Sequence, residues 1–226
     1  VHLRGEVCDM PALRRQAEAA GAAVIEDAAH ALGSSGLGGS VGANLCSAAA
    51  CFSFHPVKTI CTGEGGMVTT GDADLAARLR MFRSHGMTYP AGADPWVYEM
   101  HAPGFNYRLP DILCALGRSQ LAKLPAFARR RQDLTALYAE QLALLAPAAR
   151  PAATPPGSIA APHLMTVLID FAAKGTTRAA VMAALRERGV GSQVHYIPVH
   201  RQPYYRQRYG ELDLPGADAW YARCLS

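Results

Sequence analysis

Three side chains at the ends of apolar runs carry the most chemistry in this sequence. Lys58 follows the run Cys51-Phe52-Ser53-Phe54-His55-Pro56-Val57, and Ser53 precedes it by five residues. Asp27 follows a second apolar run, in Glu26-Asp27-Ala28-Ala29-His30. An amine, a small hydroxyl and a carboxylate, each at a strand end, are the groups that hold pyridoxal phosphate. Lysine forms an imine with the aldehyde, and an apolar setting lowers its pKa enough for it to act as nucleophile and base. The carboxylate pairs with the ring nitrogen and keeps it protonated, so that the ring acts as an electron sink. The hydroxyl donates to the phosphate, which also needs backbone N–H groups.

Each of these residues also has a plainer reading. A lysine after an apolar run is commonly a strand-end surface charge. Asp27, followed by Ala28, Ala29 and Ala31, could N-cap a helix. Ser53 could be a strand serine satisfied by backbone, and His30 a structural histidine. Asn106, in Gly104-Phe105-Asn106-Tyr107-Arg108, suits a turn with left-handed backbone, and Arg108 a structural ion pair. His195 and Tyr196 could close a strand in a core. What weighs against the plain reading of Lys58 is its company: Ser53, His55, Pro56, Thr59 and the glycine turn Gly63-Glu64-Gly65-Gly66.

The elements that must position these groups follow from periodicity and punctuation. Asp9 caps a helix with Pro11 in its first turn and Gly21 as its stop. Ala22-Ala23-Val24-Ile25 reads as a short buried strand ending at Glu26-Asp27. Residues 33–42 hold five glycines and read as a mobile surface loop. Residues 46–54 and 67–70 are two more strands, and Asp72 caps a helix to Ser84. Helical spacing continues over 111–124 and 126–145, with Pro125 kinking or separating the two. Residues 146–162, rich in Ala and Pro, read as an extended surface connection. A strand at 163–169, a helix at 177–188 and a strand at 191–196 then suggest a compact C-terminal α/β domain. Helix followed by apolar strand predicts a parallel sheet covered by helices, with ligands outside the carboxyl ends of the strands, where Asp27 falls. The domains read from this pattern are 1–125 and 126–226.

The chain has 226 residues, half of them hydrophobic and 18% charged, which suits a globular protein with a sizeable core. A net charge of +4 is too small and scattered for a nucleic-acid partner. The one tight basic cluster, Arg129-Arg130-Arg131, reads as a solvated helix face. No stretch approaches the length of a membrane span, and the opening residues are no signal peptide, so a cytoplasmic setting is expected. The six cysteines show no C-x-x-C spacing, and buried free thiols are expected rather than disulfides or zinc.

At Ser53-Phe54-His55-Pro56-Val57-Lys58-Thr59-Ile60, Thr62-Gly63-Glu64-Gly65-Gly66, residues 104–108 and Val194-His195-Tyr196-Ile197-Pro198-Val199-His200, the chain resembles the DegT/DnrJ/StrS sugar aminotransferases. These have the fold of aspartate aminotransferase. The resemblance implies an α/β pyridoxal-phosphate-dependent transferase of fold type I, with a three-layer α/β/α large domain, partial here, and a smaller α/β C-terminal domain. It implies that Lys58 holds the cofactor aldehyde, that Asp27 pairs with the ring nitrogen, that His30 contacts the ring hydroxyl and that Ser53 meets the phosphate. Asn106 would reach the partner's cofactor phosphate across a homodimer with shared sites, and His195 and Tyr196 would line the sugar-nucleotide pocket. The blocks are closest to the branch that aminates C4 of a UDP-linked 4-keto-6-deoxy-N-acetyl sugar on the way to pseudaminic acid, with L-glutamate as donor. Other 4-keto sugars, such as the perosamine precursor, stay open. Against the family, the chain is expected to lack roughly the opening third and a short tail, and with them a phosphate loop and the aromatic residue that stacks on the ring. A non-catalytic relative or remnant is the competing class. A dehydratase of the same family would carry histidine in place of Lys58. The chain reads Ser47-Ala48 where many relatives have Ser-Asp, which puts a local hydrogen bond in question.

Overall fold

The computed structural model describes residues 1–226. The chain divides into two compact units, one of residues 1–131 and 155–163, the other of residues 132–154 and 164–226.

In the first unit, helix α1 (Met10–Ala19) starts at Asp9, whose carboxylate accepts from Ala12 N at 3.0 Å, with proline in the first turn. Strand β1 (Ile25–Asp27) then pairs parallel with β4 (Ala49–Ser53), and β4 pairs antiparallel with β5 (Gly66–Thr69). The sheet is therefore mixed where an all-parallel one was expected. Only 12 residues separate β4 from β5, too few for the crossover helix that a parallel return requires. β1 begins three residues later than the apolar run suggested, and Ile25 is 68% exposed, so this strand is not buried. Within the chain it has a single neighbour, β4, and lies at the sheet's edge.

The glycine-rich stretch is an ordered hairpin, β2 (Ser35–Gly36) against β3 (Gly39–Ser40). Helix α2 (Ala73–Arg83) starts at Asp72, which accepts from the N–H groups of Asp74 and Leu75. The short pair β6 (Met87–Thr88) and β7 (Glu99–Met100) follows, then α3 (Asp111–Leu121) and α4 (Leu124–Ala143). Pro125 lies in the first turn of α4, so it separates two helices rather than kinking one.

β4 alternates: Ala50, Phe52 and then Phe54 beyond its end point into a core with Ala28, Ala31 and Ile60, against which Leu124 and Phe127 pack. Burying two phenylalanines contributes about 1.5–3 kcal/mol each. The same alternation sends Cys51 and Ser53 to the other face. Arg129 and Arg130 are exposed, but Arg131 is not solvated: its guanidinium donates to the carbonyls of Pro162 and His163, at 3.3 and 3.1 Å.

In the second unit, β9 (Val167–Ile169) is the centre of an antiparallel sheet between β8 (Ala149–Pro151) and β10 (Cys224–Leu225). β8 lies inside the stretch expected to be a plain connection. Residues 191–196 form no strand: the position beside β9 is taken by the last residues of the chain, and Gln193 exchanges two backbone bonds with Ser226, of 2.7 and 2.9 Å. Helix α5 (Arg178–Glu187) is capped by Thr177, and two short helices follow, α6 (Pro203–Tyr209) and α7 (Pro215–Arg223). Among the free cysteines only Cys224 is buried, and Cys114 is exposed.

Candidate active site

Asp27 and Ser53 stand at the ends of neighbouring strands. β1 and β4 run parallel with Asp27 opposite Cys51, so both finish at the same edge, and Ser53 closes β4. Asp27 Oδ1 accepts from Ala29 N at 3.1 Å, but residues 28–33 make turns and no helix starts there, so Asp27 is not a helix cap. Ser53 Oγ accepts from His55 N at 3.3 Å.

Lys58 lies on the loop that follows. The loop is pinned where it leaves and returns: Phe54 N donates to Gly65 O at 2.8 Å, and Thr62 N donates to Phe54 O at 2.9 Å. Thr62 is fully buried, and its hydroxyl donates to Glu64 O at 2.7 Å. Two adjacent glycines make that closure possible. A Cβ on Gly65, at φ +152°, would stand 2.5 Å from Thr62 Oγ1, and one on Gly66 2.7 Å from Phe52 O. Lys58 N donates to His55 O at 2.9 Å and the side chain is half-buried. Burial pulls its ammonium below the ordinary lysine range, and the Asp27 charge works in the opposite direction.

His30, on the turn after β1, is held from behind. Its Nδ1 accepts from Arg4 N at 3.3 Å, and its ring lies 4.5 Å from that of the buried His163. Beside these, a hydrogen-bonded trio is built on Glu26 of β1, with His2 and Glu26 buried and Ser47 half-buried. His2 Nε2 meets Glu26 Oε2 at 2.8 Å, and Ser47 Oγ donates to Glu26 Oε1. Ser47 thus bonds the strand carboxylate even though Ala48 follows it. His2 is pushed up to about 9; burial works against this, and its contacts with Cys8 and Glu26 outweigh burial. Burial favours the neutral form of Glu26 too, yet His2 and Ser47 hold its carboxyl below the usual range. Nothing in the local sequence near Glu26 announces this pair, since His2 and Glu26 lie far apart along the chain.

Asn106 sits on a crossing of two backbones. His85 N donates to Phe105 O at 2.9 Å, Phe105 N to Phe82 O at 2.7 Å and Tyr107 N to Arg83 O at 2.9 Å. The approach is so close that a Cβ on Gly104 would stand 2.1 Å from Gly86 N, and one on Gly86 1.6 Å from Ala102 O. Asn106 is exposed between Phe105 and Tyr107, whose rings stack at 4.8 Å. Arg108 makes a hydrogen bond to Ser84 Oγ at 3.3 Å, not an ion pair.

In the second unit, His195 O accepts from Trp220 Nε1 at 3.0 Å, and the His195 and Tyr196 rings meet edge-on at 4.6 Å. Tyr196 is 52% exposed. His200 Nε2 and Arg201 Nε both lie close to Asp218 Oδ1, at 3.2 and 2.7 Å.

The first unit thus brings Lys58, Asp27 and Ser53 to one sheet edge. A half-buried amine with a lowered pKa, a strand-end carboxylate and a hydroxyl at the foot of the lysine loop are a donor set that fits pyridoxal phosphate: imine former, ring-nitrogen partner and phosphate donor.

Comparison with known proteins points the same way. Residues 1–226 match the DegT/DnrJ/EryC1/StrS aminotransferase family. The spore coat polysaccharide biosynthesis protein SpsC of Bacillus subtilis (strain 168) is 36% identical over 237 residues, covering 100% of this chain and 59% of SpsC. Helicobacter pylori PseC, an aminotransferase involved in the biosynthesis of pseudoaminic acid, superimposes with a TM-score of 0.88 at 30% identity. That match covers 100% of this chain and 59% of PseC. S. venezuelae DesV, solved in complex with a ketimine intermediate, gives a TM-score of 0.85 at 35% identity, over 100% of this chain and 57% of DesV. The chain therefore spans 59% of the length of SpsC and of PseC.

Proposed function

The chain belongs to the DegT/DnrJ/EryC1/StrS aminotransferase family, and we propose that it carries the cofactor-binding part of a pyridoxal-phosphate-dependent sugar aminotransferase. The reaction proposed moves an amino group from L-glutamate to C4 of a nucleotide-linked 4-keto-6-deoxy sugar. The preferred sugar is UDP-2-acetamido-2,6-dideoxy-β-L-arabino-hex-4-ulose, within pseudaminic acid and cell-surface polysaccharide biosynthesis. The observation that carries the reading is the half-buried Lys58 amine set against the Asp27 carboxylate, with Ser53 at the foot of the same loop. The likeness to PseC and the block from Val194 to His200 support the choice of sugar.

When bound, pyridoxal phosphate supplies an aldehyde and a protonated ring that takes up an electron pair. Lys58 would hold the cofactor through its aldehyde, and its amine, when free, would hold and move the proton at the carbon that bears the amino group. Asp27 accepts from the ring N–H and keeps that proton in place. Ser53 Oγ donates to the phosphate, and His30 orients the ring through its hydroxyl. His195 and Tyr196 line the nucleotide-sugar pocket. Asn106 donates to the phosphate held by a second copy, which makes the enzyme a homodimer with shared sites. The exposed aromatic pair Phe105 and Tyr107 on either side of Asn106 suits a partner contact. With no helix of the structure long and apolar enough to cross a membrane, a cytoplasmic enzyme is the proposed setting.

Reduction with borohydride tests the cofactor site. The whole protein is mixed with pyridoxal phosphate, reduced, and the modified lysine mapped by mass spectrometry. A single adduct on Lys58 is expected, and an unmodified Lys58 overturns the reading. The alternative substrate is another nucleotide-linked 4-keto sugar, of the perosamine type. Assays with glutamate and either the altrosamine-series or the perosamine-series ketosugar separate the two.

A further inference from the structure

Residues 158–163 return to the first unit after the chain's excursion through residues 132–154, and they are fastened there at every step. Ser35 and Ile159 exchange two backbone bonds, Ser35 N to Ile159 O at 3.0 Å and Ile159 N to Ser35 O at 2.7 Å. Ala161 N donates to the buried Ser34 Oγ at 2.8 Å, and Arg131 clamps the carbonyls of Pro162 and His163. The segment delivers one side chain, His163, against the ring of His30: it is 8% exposed, the centroids are 4.5 Å apart and the rings are tilted by 41°.

Arg4 joins the two histidines through its backbone. His163 N donates to Arg4 O at 2.8 Å, and Arg4 N donates to His30 Nδ1 at 3.3 Å. Arg4 holds φ +66°, a left-handed conformation that costs a residue with a side chain energy and that aims its N–H and C=O at these two partners. Gly5 lets these segments come this close, since a Cβ there would stand 2.5 Å from Ala161 O and 3.2 Å from His30 O.

We infer that His163 and the Arg4 backbone are positioning groups for His30, fixing its ring plane and its tautomer toward the cofactor. The hydrogen bond from Arg4 requires an unprotonated Nδ1, so neutral His30 carries its proton on Nε2 and presents a donor there. His163 fixes the ring plane by packing against it, as a carboxylate or carbonyl does for metal-bound histidines by bonding. The inference rests on the proposed cofactor site and deepens it: His30 meets the ring hydroxyl as a donor of fixed direction, through a wall supplied by residues distant in sequence.

The test uses the whole protein and three versions of it: wild type, His163→Ala and His163→Phe. Nitrogen-15 NMR reads the tautomer of His30, and equilibrium titration reads pyridoxal phosphate affinity. Wild type is expected to show the Nε2–H tautomer. His163→Ala should mix the tautomers and weaken cofactor binding by about threefold to tenfold, the worth of one aromatic contact. His163→Phe keeps an aromatic wall and should hold both readouts within about twofold of wild type. A proton on His30 Nδ1 in neutral wild type overturns the inference. So does a His163→Ala variant with unchanged tautomer and affinity, or a His163→Phe variant that binds as weakly as His163→Ala. Should His163→Ala fail to fold, the wild-type tautomer and His163→Phe still decide. Borohydride labelling of wild-type Lys58 keeps the two readings apart: no adduct sinks the cofactor site, whereas an adduct with indifferent His163 variants sinks only the role of His163.

Discussion

In the proposed reaction, the chemistry at Lys58 depends on the identity of a single atom. Its loop is closed by backbone bonds from Phe54 and Thr62, so the amine does not hold the loop together and can be replaced without unfolding it. Arginine keeps the charge but is not deprotonated in proteins and forms no imine. Lys58→Arg and Lys58→Ala should therefore both lower kcat by about 10²–10⁴, with unfolding midpoints close to wild type. Steady-state kinetics beside thermal unfolding check this, and a Lys58→Arg variant with wild-type turnover would remove the lysine from the reaction. Asp27→Asn removes the anion while keeping the bond to Ala29 N available to the amide oxygen. Its expected cost is about 10²–10³ in kcat, the size of one preorganised electrostatic contact, with little change in stability. These residues could be nominated from the sequence because each sits in a compact run of distinctive neighbours. His163 and Arg4 could not, because the contact between them and His30 is made only when distant segments meet.

At the scale of elements, two constructions can be tested, and each fails in its own way. The crossing under Asn106 leaves no room for side chains at Gly86 and Gly104. Gly104→Ala must push two backbones apart and should cost about 3 kcal/mol or more, together with weaker cofactor binding as Asn106 shifts. Chemical denaturation and cofactor titration on the same variant read both effects. The second construction is the pair His2 and Glu26. His2 has its folded pKa raised from 6.5 to about 9, so its contribution to stability is complete below pH 6.5 and fades as pH climbs to about 9. Glu26 has its folded pKa lowered from 4.5, so its contribution is present above pH 4.5 and is lost as pH falls below that. The pair stabilises most between those limits. His2→Gln should flatten the loss of stability between pH 6.5 and 9, and denaturation at those two pH values measures it. An unchanged slope would mean that His2 does not titrate in that window. The helices were legible because Asp9, Asp72 and Thr177 cap them, which is local chemistry. Strand ends were less so. Ala22 to Ile25 is as apolar as a buried strand, but pairing begins only at Ile25, where Ala49 stands opposite. Residues 191–196 were also expected to be a strand and lost the place beside β9 to Cys224 and Leu225.

For the whole molecule, the question is whether one copy can make a complete site. Asn106 is exposed on its crossing, between two exposed aromatics. A site completed by a second copy has a consequence that no single-site arrangement shares. Lys58→Ala and Asn106→Ala homodimers would each be impaired at both sites. In a mixed dimer, one site would combine the lysine of one subunit with the asparagine of the other, and so be whole, while its second site would carry both lesions. Random mixing makes half the dimers mixed, and half of their sites whole, so about a quarter of wild-type activity should return on co-refolding or co-expression. The measurement needs only the two variants, purified separately and then together. If activity stays at the sum of the two variants, Asn106 serves the lysine of its own chain and the shared-site arrangement is wrong. If it returns, Asn106 is the residue with which one copy finishes the cofactor site of the other.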